Sequence, residues 1–452
     1  MRNQSIYNIA EICSRKGVTE VVLCPGSRCA PLTLAFTRHK KFQCRTFSDE
    51  RSAGFIALGI AQQTKKPVAL VCTSGTAAYN FAPAVAEAYF SQTPLLVFTA
   101  DRPAEWIAQH DGQTILQANL YGKHVKQSYT LPQHYDHPDD QWYTNRIINE
   151  AINLAKQEPA GPVHINAPFR EPFYPDPSEP FSYSADVRII EEDAPVSFPI
   201  ESEKILAAEL STFRNILVVA GQSEHNPDLI QVLQTTASRM PVLGGALSNL
   251  HEITNVIRHA DAFLSALSEG SARNLKPDLL ISFGKSVISK SLKLFLRKFP
   301  TIPHWHIQSH PGATDPFQNL SKILVADPIH FFSFINSLTL KTDPYYLEQW
   351  KIEERRIAKS INEFFPQPEF SELELVKIIL SRLPSPCHLH LANSMSVRYA
   401  EYMGVLPDKK NITVFSNRGT SGIDGCTSTA VGHSLSSESL NILITGDLAF
   451  FL

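Results

Sequence analysis

Apolar residues along this chain fall into two alternating patterns. Runs such as EVVLCPG, PVALVCTSG and PLLVFTADRP are nearly continuous in apolar residues and break at Gly, Pro or Asp. Between them the apolar positions recur with helical spacing: a stretch at about 3–16 that ends at Gly17, then RSAGFIALGIAQQ, then AVAEAYFSQ. A strand without polar alternation is one covered on both faces. Strands of that kind alternating with helices predict a parallel sheet with helices on either side. The fold class predicted is α/β, built from doubly wound parallel sheets.

The pattern breaks once and then resumes twice. The Pro-dense stretch APFREPFYPDPSEPFSYSADVRIIEEDAPVSFP blocks both helix and ladder, so 168–199 reads as an interdomain linker. A second alternating unit runs through NILVVAGQSE, PDLLISFGK and IPHWHIQSH. The charged helix YYLEQWKIEERRIAKSINEFF leads to a third, in which PCHLHLANSMSVRYAEYM is strand, loop and helix, and NITVFSNRGTSGIDGCTSTAVGHSL is strand, Gly-rich loop and helix. The division predicted is 1–180, 195–340 and 345–452.

The first and third units echo each other. VVLCPGSRCAPL and LHLANSMSVRYA both run strand, small polar loop, Arg, helix, and VALVCTSGTAA and NILITGDLAF both end a strand in a Gly loop. The closing LNILITGDLAFFL reads as a strand over Asn441–Thr445, a turn at Gly446 and Asp447, and a second apolar run over Leu448–Leu452. The expectation is a buried parallel strand from Asn441 to Leu452 that carries Asp447 at its carboxyl end, beside the loop of Arg418. In sheets of this class ligands sit outside the carboxyl ends of the strands, where all four loops fall.

Charge and composition narrow the function. Lys and Arg number 41 against 44 Asp and Glu, a formal net charge of -3, so there is no basic surplus for a nucleic-acid backbone. The amphipathic start MRNQSIYNIAEICSRKG lacks the continuous apolar core of a signal peptide, and no window reaches the length of a membrane span. The seven cysteines, with no CxxC pair, read as reduced thiols of a cytoplasmic protein.

Several short motifs carry chemistry. FSDERSAGF puts Asp49, Glu50 and Arg51 at a helix start. There the acids can simply complement the helix dipole, or Glu50 can be a functional carboxylate desolvated enough to hold or share a proton. CPGSRCAP projects Arg28 from a turn, TADRPAEW carries Arg102 past a strand end, and SNRGTSGIDG sets Arg418 among glycines at a helix entry. Each is either a solvated charge or an anion-capturing group, and glycines at a helix entry let a ligand approach the backbone. The histidines of QHYDHPDD, PHWHIQSH and CHLHL lack a zinc spacing and read as structural.

Taken together, CPGSR, SDERSAGFIALG, CTSGTAAYNFAPAVAEAYFSQTPLLVFTADRP, GPVHINAPFREPF, SNRGTSGIDG and GDLAF occur in an order that resembles one family. It is the 2-succinyl-5-enolpyruvyl-6-hydroxy-3-cyclohexene-1-carboxylate synthases, the thiamine-diphosphate enzymes of menaquinone synthesis. The resemblance implies a pyrimidine-binding domain, a central domain and a diphosphate-binding domain, the last of them incomplete. It implies decarboxylation of 2-oxoglutarate and addition of the succinyl unit to isochorismate. Glu50 would hydrogen-bond the aminopyrimidine of thiamine diphosphate and so promote loss of the thiazolium proton. Ile423 would prop the cofactor, and Asp447 would bind Mg²⁺ or Mn²⁺. Ser27, Arg28, Arg102, Gln113, Lys290, Ser394, Arg398 and Arg418 match positions that line the substrate pocket, where arginine forks suit carboxylates.

The resemblance also implies a homodimer or homotetramer with sites between subunits, no nucleic-acid partner and no membrane span. Two departures stand out. Ser291 occupies a position that is basic in many relatives, with Lys293 one turn on, and the second metal ligand, an Asn downstream of GDL, is not in this sequence. The chain is therefore expected to be shorter than the working enzyme. Two other readings compete: a different thiamine-diphosphate 2-oxoacid decarboxylase or synthase, and a truncated, non-catalytic binding protein.

Overall fold

The computed structural model describes residues 4–134, 137–171, 173–174, 182–191, 200–364 and 370–452. Much of the expected linker at 168–199 lies outside the described residues. Among those described, the strands form three sheets and every pairing is parallel. The first sheet holds β1 (Glu20–Leu23), β2 (Gln43–Thr46), β3 (Val68–Cys72), β4 (Leu95–Asp101), β5 (Ser128–Thr130) and β6 (Pro162–Pro168), in the order β2-β1-β3-β4-β6-β5. The second holds β7 (Ile216–Ala220), β8 (Val242–Gly244), β9 (Leu279–Phe283), β10 (His304–Gln308) and β11 (Leu320–Val325), in the order β11-β10-β9-β7-β8. The third holds β12 (Cys387–Leu391), β13 (Ile412–Phe415) and β14 (Leu440–Ile444), in the order β13-β12-β14.

Alternation along the central strands explains why these segments are apolar throughout. On β3, Val68, Leu70 and Cys72 enter one core cluster, and Ala69 and Val71 enter another on the opposite face. β4 divides the same way, with Leu95 and Val97 on one side and Leu96, Phe98 and Ala100 on the other. Helices Gln4–Arg15 and Pro138–Lys156 supply one cluster, and Glu50–Thr64 and Ala82–Ser91 the other. The second sheet is covered likewise, since Leu279, Ile281 and Phe283 of β9 face one cluster and Leu280 the other.

The chain divides into two compact units. The first comprises Met1–Ala194, Asn417–Glu438 and Asp447–Leu452; the second comprises Pro195–Ser416 and Ser439–Gly446. Within the first unit helix Cys426–Ser434 lies directly on helix Glu50–Thr64. The crossing depends on two glycines. A Cβ on Gly59 would sit 2.1 Å from the Thr429 carbonyl oxygen, and one on Gly432 would sit 2.2 Å from that of Ile56.

The expected strand from Asn441 to Leu452 is corrected by the structure. β14 stops at Ile444, where its ladder partner β12 also ends at Leu391. Residues Asp447–Phe451 turn into a short helix, with Leu448 66% and Phe451 81% exposed and Ala449 buried. Without a neighbouring strand to supply hydrogen bonds, the backbone satisfies itself locally, and the Asp447 carboxylate takes the Leu448 N–H at 2.8 Å.

Candidate active site

The first sheet has a topological switch between β1 and β3. The chain leaves β1 toward β2 on one side, then crosses back to place β3 on the other. The loops that follow these two strands border the crevice where such sheets bind ligands. They touch closely: a Cβ on Gly26 would sit 2.3 Å from the Thr73 side chain, so only glycine passes here.

Glu50 sits at this switch. It is the first residue of helix Glu50–Thr64, half-buried, behind the N-cap Asp49 whose carboxylate takes the Ser52 N–H at 2.9 Å. Cys24 follows β1, Cys72 ends β3, and Cys29 is the N-cap of helix Ala30–Thr37. Burial is the main reason their proton affinities are raised, and the negative charge of Glu50 adds to it.

Arg28 is buried, donates from Nη1 to the Phe169 carbonyl at 2.9 Å, and lies 4.7 Å from the Phe173 ring centre. Burial, and next the nearby charge of Arg102, weakens its hold on its proton. Arg102 pairs with Asp111 at 2.5 Å and donates from Nε to the Gly112 carbonyl at 3.0 Å. This fold-back brings Gln113, at φ 55°, against Gly75 in the loop after β3. Ser27 is exposed in the same β1 loop. Two guanidinium groups, an amide and a carboxylate-bearing helix therefore lie toward the carboxyl ends of the central strands.

A buried polar network supports these strand ends, and sequence reasoning missed it. Gln117 takes the Gly75 N–H at 2.8 Å and donates to Ala100 O and Asn166 Oδ1, each at 3.0 Å. Asn166 donates to Asp101 Oδ2 at 2.8 Å, and Asp101 Oδ1 takes the Arg102 N–H at 2.8 Å. Thr99 donates its hydroxyl proton to Asn166 at 2.9 Å, so His164 donates from Nε2 to Thr99 and accepts from Ser128 at Nδ1. Burial brings the His164 pKa down to about 3, which keeps the ring neutral. The only sequence signal was a cluster of polar residues, Thr99, His164 and Asn166, inside otherwise apolar strands.

Arg418 follows Asn417, whose amide donates to Thr429 Oγ1 at 2.9 Å, and Ile423 lies half-buried further along the same loop. Asp447 is exposed at the start of its short helix. In the second unit Ser394, at φ 72°, caps helix Met395–Met403, and Arg398 lies one turn on; both are exposed beyond the carboxyl end of β12. Lys290 is the exposed first residue of helix Lys290–Arg297, whose start is tied to Asp261 through the Ser291 N–H at 2.9 Å.

The histidines read as structural are hydrogen-bonded side chains in several cases. His304 and His306 both contact Ser282 Oγ, at 2.6 and 2.8 Å, and His390 contacts Asn441 at 2.8 Å. Burial lowers the pKa of His304 and of His390 to about 4.

Residues 7–120 match the thiamine pyrophosphate enzyme N-terminal TPP binding domain, and 201–391 match the middle domain of thiamine pyrophosphate enzymes. A 2-succinyl-5-enolpyruvyl-6-hydroxy-3-cyclohexene-1-carboxylate synthase from Cytophaga hutchinsonii is 46% identical over 452 residues, covering 99% of this chain and 79% of the relative. The chain belongs to this synthase family. Proteins of the same name from Flavobacterium johnsoniae and Bacteroides fragilis are 39% identical over 446 residues and 38% over 457. These matches cover 98% and 99% of this chain and 78% and 79% of the relatives. A member of the synthase family is a thiamine-diphosphate-dependent transferase that forms a carbon–carbon bond in menaquinone biosynthesis. Among the described residues no helix is long and apolar enough to cross a membrane.

The residues at the switch fit thiamine diphosphate. A half-buried carboxylate opens the helix there, and half-buried Ile423 lies in a Gly-rich loop of the same unit. Among the described residues no group of three or more His, Cys, Asp or Glu could hold a metal. A lone Asp447 still fits Mg²⁺, which is commonly held by one or two carboxylates together with phosphate oxygens.

Proposed function

We propose that this synthase decarboxylates 2-oxoglutarate and adds the succinyl unit to isochorismate, with Mg²⁺ or Mn²⁺ holding the cofactor's diphosphate. The observation that carries the reading is the placement of two guanidinium groups, Arg28 after β1 and Arg102 after β4, at the carboxyl ends of interior strands in the sheet whose switch carries Glu50. Both proposed substrates are polyanions. A desolvated guanidinium binds a carboxylate through two parallel hydrogen bonds, and its planar fork fixes the orientation. Arg28 is already held by Phe169 and Phe173, so little side-chain freedom is lost when an anion arrives.

Thiamine diphosphate, when bound, supplies the electron sink for decarboxylation. Glu50 would hydrogen-bond the cofactor's aminopyrimidine from its half-buried position at the switch. Ile423 would support the cofactor, and Asp447 would supply a metal ligand. Ser27, Gln113, Lys290, Ser394, Arg398 and Arg418 complete the recognition of the two acids. The proposal treats 1–180 as pyrimidine-binding, 195–340 as central and 345–452 as part of the diphosphate-binding domain. It places the enzyme in the cytoplasm as a homodimer or homotetramer, with no nucleic-acid partner.

The test is kinetic. Carbon dioxide release from 2-oxoglutarate is measured with and without isochorismate, in the whole protein and in Arg28→Ala and Arg102→Ala. Turnover is expected to depend on both acids, and each variant is expected to lower kcat/KM about tenfold or more, from loss of a charged hydrogen bond. Unchanged kinetics with both substrates in both variants would overturn the assignment.

A further inference from the structure

Glu87 lies on helix Ala82–Ser91 in the middle of a small-residue stretch, and its side chain is 1% exposed. A carboxylate so buried needs donors, and among the described residues the loop that follows Arg418 supplies three. The Gly419 N–H donates to Oε1 at 2.8 Å, the Thr420 N–H donates to Oε2 at 2.6 Å, and the Thr420 hydroxyl donates to the same oxygen at 2.7 Å. Two backbone N–H groups and a hydroxyl thus converge on its two oxygens. The loop also lies flat on the helix. A Cβ on Gly419 would be 2.7 Å from the Glu87 carbonyl oxygen and 2.8 Å from the Ser91 nitrogen, so no other residue fits without moving the loop away.

We infer that Glu87 is a positioning residue of this synthase: its buried carboxylate fixes the Gly419–Thr420 turn and, through it, the direction of Arg418. The inference rests on the proposed role of Arg418 as a substrate carboxylate binder. Its geometric part, the anchoring of the turn, stands independently. The chemistry favours an acid over an amide. A carboxylate has acceptors only, matching three donors aimed at it, whereas a glutamine would turn an N–H₂ group toward one backbone N–H. Polar partners from one loop also explain why an ionisable residue is tolerated inside a helix rich in Ala and aromatic side chains.

The experiment compares Glu87→Gln, Glu87→Asp, Arg418→Ala and the Glu87→Gln, Arg418→Ala double variant in the whole protein. Steady-state kinetics are measured with 2-oxoglutarate and isochorismate. Amide hydrogen exchange is followed at Gly419 and Thr420. Glu87→Gln is expected to speed exchange at those two amides by about tenfold or more and to raise the KM of one acid about tenfold, with kcat within about twofold. Glu87→Asp is expected to restore part of the KM loss. In the Arg418→Ala background Glu87→Gln is expected to add little, because its effect runs through Arg418. A fully additive KM effect, or a fall in thermal stability with KM unchanged while Arg418→Ala raises it, would overturn the positioning role. Unchanged kinetics in Arg418→Ala would refute the substrate role of Arg418 alone. In that case amide exchange decides, and unaltered protection of Gly419 and Thr420 in Glu87→Gln would overturn the anchor as well.

Discussion

Two strand–loop–helix pieces of the first sheet have counterparts in the third, and their fates differ. β1 leads through a loop to helix Ala30–Thr37, and β12 leads through a loop to helix Met395–Met403. β3 leads through Gly75 to the short helix Thr76–Asn80, and β14 leads through Gly446 to the short helix Asp447–Phe451. Yet β3 is buried at every residue, while β14 is half-exposed along its length. β3 has β1 and β4 on either side, whereas β14 pairs with β12 alone among the described residues. The same contrast separates Arg28, buried against Phe169 and Phe173, from Arg398 on an exposed helix face. Local sequence sets the turn; the neighbouring strands and layers decide what the turn is set in.

That comparison can be broken at its strongest point first. Glu50→Gln is expected to slow C2-proton exchange of bound thiamine diphosphate by about 10²–10⁴-fold, the usual worth of a positioned acid or base. Exchange within a factor of about two of the parent would remove Glu50 from the chemistry. Next comes the buried network. Asn166→Ala strands Thr99, Gln117 and Asp101 together, so urea unfolding is expected to show a loss of about 3 kcal/mol or more. Asn441→Ala on half-exposed β14, where the side chain contacts His390 and His388, is expected to cost about 1 kcal/mol. Equal losses would mean that burial is not what distinguishes the two sheets.

The pH dependence sharpens the same contrast. His164 titrates near 3 when folded and near its ordinary 6.5 when unfolded. Below pH 6.5 the unfolded chain takes up the proton and the folded one does not. Stability is therefore fully present above pH 6.5 and falls with decreasing pH, by about 1.4 kcal/mol per unit for this residue until the folded value is reached. Thermal melts between pH 7 and 4.5 should show that slope, and His164→Gln should flatten it. Arg398→Ala is expected to raise the KM of one substrate by only about threefold, less than the effect of Arg28→Ala, because an exposed guanidinium is screened by water. The smallest effect is reserved for the exposed end: Leu448→Ser should change unfolding free energy by no more than about 0.5 kcal/mol.

Much of the fold was legible. Every strand taken from an apolar run is present, and the parallel order follows from those runs alternating with helices. The unread strands are mostly edges. QCRT of β2 and SYT of β5 carry no apolar run, because an edge strand keeps a wet side, and the three-residue β8 is too short to show a period. For the last residues hydrophobicity misled; the echo with VALVCTSGTAA gave the strand ending in a glycine loop, and the short helix that follows was not read. Arg28 and Arg102 could be named from their place after strand ends. Gln117 and Glu87 could not, because their partners are distant in the chain and a lone Gln or Glu inside a helical or loop segment has no period to betray it.

The thiols at the switch point have a practical consequence. Of seven cysteines, six are buried and only Cys44 is partly exposed, with a pKa pushed up to about 11 by burial and then by Glu20. At neutral pH its reactive thiolate amounts to about one part in ten thousand. The native chain is therefore nearly silent toward maleimides and iodoacetamide. A single cysteine placed on an exposed loop can be labelled with a fluorophore or spin probe, without first stripping out the native ones.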